Sequence, residues 1–172
     1  GVFFAAMMPA SRATASTSPF LIPPSMIRFS VSGCIKTVVA AVAVRDGKIG
    51  NLDEPVGATV KDGGYDSPRN AQVTWTMHLQ QESEWEGTMW GKKDDFVGRE
   101  AFGQGERKPR ELKRPGTFYE YNDVRINRLG LSLLRTFKKP VPEVFRDEVM
   151  DVIGASNQWK WVPYHNSYVD ID

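Results

Sequence analysis

Ser30, Ser32 and Lys36 stand close together just ahead of an apolar run, Thr37 to Val44, that closes on Arg45-Asp46-Gly47-Lys48-Ile49. A serine hydroxyl at a helix start accepts a hydrogen bond from a free N–H of the first turn, and those same N–H groups favour negative charge developing nearby. Ser30 or Ser32 can therefore cap a helix or act as a nucleophile, and both roles ask for the same place in the chain. Ser32 and Lys36 are four apart and share a helical face, so a shifted serine–lysine pair is conceivable. Lys36 cannot serve Ser30 in that way, because six residues at about 100° each put it some 120° around the helix. Cys34 is the single cysteine, which excludes an internal disulfide and makes it a small core residue by default. A thiol role with His78 or His165 has no supporting spacing. No cofactor or metal site is expected.

The elements that must position these groups follow from periodicity and turn chemistry. Val38 to Val44 has no polar stripe, so a helix over Ser32 to Arg45 is expected to be buried on nearly all sides. Asp46-Gly47 supplies a turn, and Ile49 to Val56 reads as a loop that pins one or two apolar side chains. Further helices are expected at Trp75 to Gln81, Asp123 to Phe137 and Pro142 to Ile153, the last stopped by Gly154. Their apolar positions are Val124, Ile126, Leu129, Leu131, Leu133 and Leu134 in one, and Val144, Phe145, Val149, Val152 and Ile153 in the other. Lys61 to Asn70 and Gly87 to Arg114 read as long loops rich in Gly, Asp, Lys and Pro.

Ser30 to Val56 resembles, without a gap, the first motif region of the β-lactamase-related serine hydrolases: class C β-lactamases, family VIII esterases, penicillin-binding-protein-like hydrolases and nylon-oligomer hydrolases. The pattern there is Phe-Ser-Val-Ser-Lys-Ser, a small-residue helix, Asp-Gly-Lys-Ile and a Leu-Asp-Glu-Pro-Val turn. Val73 to Gly87 is similar to the family's Ile-Thr-x-x-His-Leu-Leu segment. Pro115-Gly116-Thr117-Phe118-Tyr119-Glu120-Tyr121-Asn122-Asp123 resembles its Pro-Gly-Thr-x-Phe-x-Tyr-x-Asn block, and Val144 to Trp161 resembles a later helix end.

The resemblance implies an α+β, β-lactamase/transpeptidase-like fold, truncated and dominated by its helical region, with residues 1–28 as an N-terminal arm and 29–172 as a partial hydrolase domain. It makes Ser30 the nucleophile and Tyr121 the general base of an acyl-enzyme reaction on small esters or amides, β-lactams included. Asp123, Ser32 and Lys36 would support them, and Trp85, Trp90 and Phe96 would stand at the pocket rim or anchor a loop. Two departures bear on the chemistry. Gly33 occupies the place of the family's lysine, and Asp123 that of its asparagine, which removes an amide donor. No third motif precedes Asp172. The alternative is an inactive or incomplete remnant that serves as a scaffold or binding module.

With 22 basic against 21 acidic residues, the net charge of +1 offers no global field for nucleic acid or an anionic membrane. Arg107 to Arg114 is a local basic run broken by Pro109 and Glu111, read as a solvated loop. No run reaches the length of a membrane span. Val2 to Met8 is apolar and Ala13-Thr14-Ala15 has the small-residue look of a cleavage site, which leans towards export, although no basic segment precedes it. An apolar first helix needs cover, and the candidates are the arm Val2 to Ile22, the aromatic tail Trp159 to Tyr168, or a second copy of the chain in a homo-oligomer.

Overall fold

The computed structural model describes the backbone of residues 7–9, 24–89, 92–93 and 110–161, and side-chain surroundings for 33–89 and 110–161. Helix α1 spans Pro24–Arg45. Proline at a first helical position has its φ already set and lacks only an N–H that would be unpaired there anyway, so Pro23-Pro24 starts the helix earlier than the serines do. Ser30 and Ser32 consequently lie inside α1 rather than at its cap, which corrects the expected start at Ser32. At the other end Gly47 takes φ +67, and the Lys48 N–H reaches the Ala43 carbonyl at 2.9 Å, a glycine-closed terminus.

From Gly33 to Arg45, α1 is buried on one side. Ile35, Val39, Ala40, Val42 and Ala43 are buried, whereas Cys34, Thr37, Val38 and Ala41 recur at helical spacing as an exposed stripe. Both the all-round burial and the core role of Cys34 are therefore corrected: the stripe is made of small or apolar residues, and composition alone cannot tell it from the buried side. The core side packs on later helices. Among the described residues α3, α4 and α5 pack on it. The described parts of the arm and the tail meet each other, as strand β1 (Met7–Pro9) pairs antiparallel with β4 (Trp159–Trp161), Met7 opposite Trp161. Trp161 also packs at the edge of the core.

Between them the chain winds through short elements. After the Gly47 turn, Ile49 and Val56 are buried, as a loop that pins apolar side chains requires. α2 (Val56–Thr59) follows Pro55, a 3-10 turn spans Asn70–Gln72, and α3 (Trp75–Leu79) begins at Thr74, whose hydroxyl accepts the Met77 N–H at 3.2 Å. β2 (Thr88–Met89) and β3 (Lys92–Lys93) pair antiparallel.

α4 (Asp123–Phe137) is the central element. Asn122 caps it, its amide oxygen accepting the Arg125 N–H at 3.0 Å, and every residue from Asp123 to Leu134 is buried. α5 (Val141–Phe145) runs on into a π-helical turn, Arg146–Met150, so the single helix expected over Pro142 to Ile153 is broken in two. Val152 and Ile153, expected on an apolar face, are 74% and 68% exposed because they fall in the turn beyond it. Among the described residues the architecture is helical with two two-stranded ladders, and no helix is long and apolar enough to cross a membrane.

Candidate functional site

Three segments far apart in sequence enclose a cavity of about 250 Å³. α1 contributes Gly33, Cys34 and Thr37; the end of α3 contributes Leu79 and, just beyond it, Gln81. Tyr121, immediately ahead of α4, and Ile126 and Leu129 within it complete the wall. Leucines and isoleucine form an apolar floor, and Tyr121, Gln81, Cys34 and Thr37 supply the polar groups. Apolar walls with a few polar groups are what small-molecule clefts use, though this half-open cavity is smaller than the roughly 300–1,000 Å³ typical of them.

The sequence-predicted site residues fall as follows. Tyr121 lines the cavity and is 37% exposed. Ser30 precedes Gly33, Cys34 and Thr37 by three, four and seven residues in one continuous helix, the spacing of a single helical face. Gly33 faces open space, since a Cβ built there would meet nothing within 4 Å. The Thr37 hydroxyl is engaged locally, donating to the Gly33 carbonyl at 3.0 Å.

Lys36 points inward. Its Nζ donates to the Ile126 carbonyl at 3.0 Å, directly behind the cavity wall, in space left by Gly130. Burial pushes its pKa down to about 7, against the pull of the Asp123 carboxylate. Asp123 is the buried first residue of α4. Ser32 lies one helical turn before Lys36 on the same helix. Gly33, Tyr121, Lys36 and Asp123 are thus gathered where α1 meets α4.

Trp85 is not at the rim: it is buried, and its indole N–H donates to the Gly64 carbonyl at 2.8 Å. The loop carrying it folds back onto the body, so the anchoring role holds and the rim role is corrected. Trp90 and Phe96 lie outside the described residues.

Polar side chains that the sequence reading passed over line the far side of α4. The Tyr65 hydroxyl is 2.7 Å from Ser132 Oγ and 3.0 Å from His78 Nε2. Burial, helped by the Arg128 and Arg125 charges, pushes the His78 pKa down to about 3, so the ring is neutral. The Arg128 guanidinium lies over the Tyr65 and Trp85 rings and donates to Asp62 at 2.5 Å. Gly64 makes room for it, because a Cβ there would stand 2.2 Å from Arg128 Nη2. Among the described residues no group of His, Cys, Asp and Glu side chains could hold a metal ion.

No family model matches the chain, and no curated protein or solved structure matches it either.

Proposed function

We propose that the chain is a serine hydrolase of the β-lactamase-related group, with the helical part of a β-lactamase/transpeptidase-like fold, acting through an acyl-enzyme on small esters or amides. The observation that carries this reading is the shared cavity of Gly33 and Tyr121. These positions are 88 residues apart, and the motif resemblance picks both as neighbours of the nucleophile.

In this reading Tyr121 starts as the phenolate, and the Ser30 hydroxyl attacks the acyl carbonyl while its proton passes to that oxygen. The bond to the leaving alcohol or amine then breaks, and that group takes the proton from Tyr121. A water molecule, deprotonated by the same oxygen, releases the acid and restores Ser30. The apolar floor of Leu79, Ile126 and Leu129 would hold the acyl group and keep bulk water off the carbonyl.

A fluorophosphonate probe tests the reading. The expected result is a single adduct on Ser30, lost in Ser30→Ala together with hydrolysis of p-nitrophenyl esters. Gly33→Lys, entering open space, should raise the hydrolysis rate by roughly 10²–10⁴-fold, the contribution of a positioned acid or base. The scaffold reading has one observation in its favour: Lys36, beside the site, turns its amine to the Ile126 carbonyl. It wins if the probe finds no serine and Gly33→Lys leaves the rate where Ser30→Ala leaves it.

A further inference from the structure

The loop after α3 carries unusual backbone at a wall of the cavity, Gln81, and again three residues on. Gln81 has φ +63 and Glu84 has φ +43, left-handed conformations that residues with a Cβ adopt only when their surroundings over-determine them. At Glu84 the cause is visible. Its carboxylate is fully buried and accepts from Arg110 Nη1 and Nη2 at 2.8 and 2.6 Å, from the Lys113 backbone N–H at 2.6 Å and from Arg125 Nη1 at 2.7 Å. Burial alone would raise its pKa, but the Arg110 and Lys113 hydrogen bonds and the Arg125 charge hold it below the usual carboxylate range.

Glu120, the residue before Tyr121, joins the same network. Its carboxylate accepts from Arg110 at 2.8 Å and lies 3.4 Å from Arg125 Nη1. Its backbone N–H donates to the Gln81 carbonyl at 3.0 Å, and the Gly116 N–H donates to the Glu82 carbonyl at 2.9 Å. Two carboxylates and two guanidiniums therefore bind three segments together: the loop after α3, the stretch from Arg110 to Tyr121, and the first turn of α4. These are the segments that supply Gln81, Tyr121 and Ile126 to the cavity. The charges balance, so the cluster tolerates burial, and its bidentate geometry fixes distance as well as sign.

We propose that Glu84 is a positioning residue of this cavity: through Arg110, Arg125 and Glu120 it fixes Gln81 and Tyr121 opposite the α1 face that carries Gly33. The consequence for chemistry rests on the hydrolase reading. The consequence for the shape of the cavity does not.

Cys34, the only cysteine of the chain and a wall of the cavity, reports the shape. Glu84→Gln keeps the outline of the side chain but removes its charge. Well below its melting transition, this variant is expected to react several-fold faster with iodoacetamide at Cys34, as the opposite wall loosens, and to label about 10²-fold more slowly with fluorophosphonate at Ser30, the cost of a misplacement near 1 Å. Glu84→Asp, which retains the carboxylate, should recover part of both. Loss of stability alone moves neither rate in the folded protein. Arg110→Gln, which cuts the network from its partly exposed side, should shift both rates in the same direction, and it decides the matter if Glu84→Gln does not fold. Folded variants with wild-type rates at Cys34 overturn the proposal. Absence of Ser30 labelling in the wild type overturns the hydrolase reading and leaves the Cys34 comparison intact.

Discussion

α4 meets the rest of the molecule through two kinds of buried charge, and they obey different rules. Near its N-terminus Arg125 enters a four-membered ionic cluster in which each carboxylate faces two guanidiniums. Across the α1 interface an amine, Lys36, is buried with the Asp123 carboxylate within electrostatic reach and the Ile126 carbonyl as a hydrogen-bond acceptor. Balanced and hydrogen-bonded, the cluster behaves as a fixed strut. Desolvation dominates at Lys36, so that amine titrates near neutrality. Burial by itself does not decide whether a charge is structural or titratable; how strongly its pairing offsets desolvation does.

Removing a member of the cluster is the severest way to break this contrast. Arg125→Met takes from Glu84 and Glu120 one of the two guanidiniums they share, and a loss of about 3–5 kcal/mol in denaturant unfolding is expected, the cost of breaking a buried ionic cluster. A loss below about 1 kcal/mol would mean the cluster is no strut.

The pH dependence sharpens it next. Lys36 has a folded pKa of about 7 against 10.5 for a free lysine, so between these values the unfolded chain binds the extra proton. Stability should rise with pH across that window by up to about 1.4 kcal/mol per unit, and Lys36→Met should flatten the slope. His78 governs the acid side. With a folded pKa of about 3 against 6.5, it lowers stability as pH falls through that range, and His78→Gln should remove that part of the decline. Urea midpoints at unit pH steps measure both flanks.

Smaller effects test the ends of α4 and α1. Asn122→Ala removes the cap and should cost about 1 kcal/mol. Arg45→Ala removes an exposed pair with Glu148 and should leave the urea midpoint nearly unchanged, the more so in salt.

Much of the helical frame was legible in the sequence. α4 runs from Asp123 to Phe137 as its apolar spacing predicts, and all six of its named apolar positions are buried. What spacing could not reveal is that Arg125, Arg128 and Ser132 are buried too, since their partners Glu84, Asp62 and Tyr65 lie 41 to 67 residues away. A serine near a helix start resembles a cap whether or not the helix begins earlier, so the start of α1 at Pro24 is not legible from Ser30 and Ser32. Gly33 and Tyr121 are readable only as motif positions, and the cavity they share depends on how α1 and α4 cross. The rim and anchoring roles of Trp85 look alike in sequence, because an aromatic in a loop carries no mark of the buried guanidinium it packs against.

That guanidinium has a consequence for how the chain can drift. Arg128 fills the space a side chain at position 64 would need, while the Gly64 carbonyl receives both the Trp85 indole and the Asn70 amide. Any residue gained at 64 must push that guanidinium aside, and a displaced guanidinium leaves the Asp62 carboxylate and uncovers two aromatic rings. Substitutions at 64 and 128 therefore act on the same contacts and are expected to be non-additive.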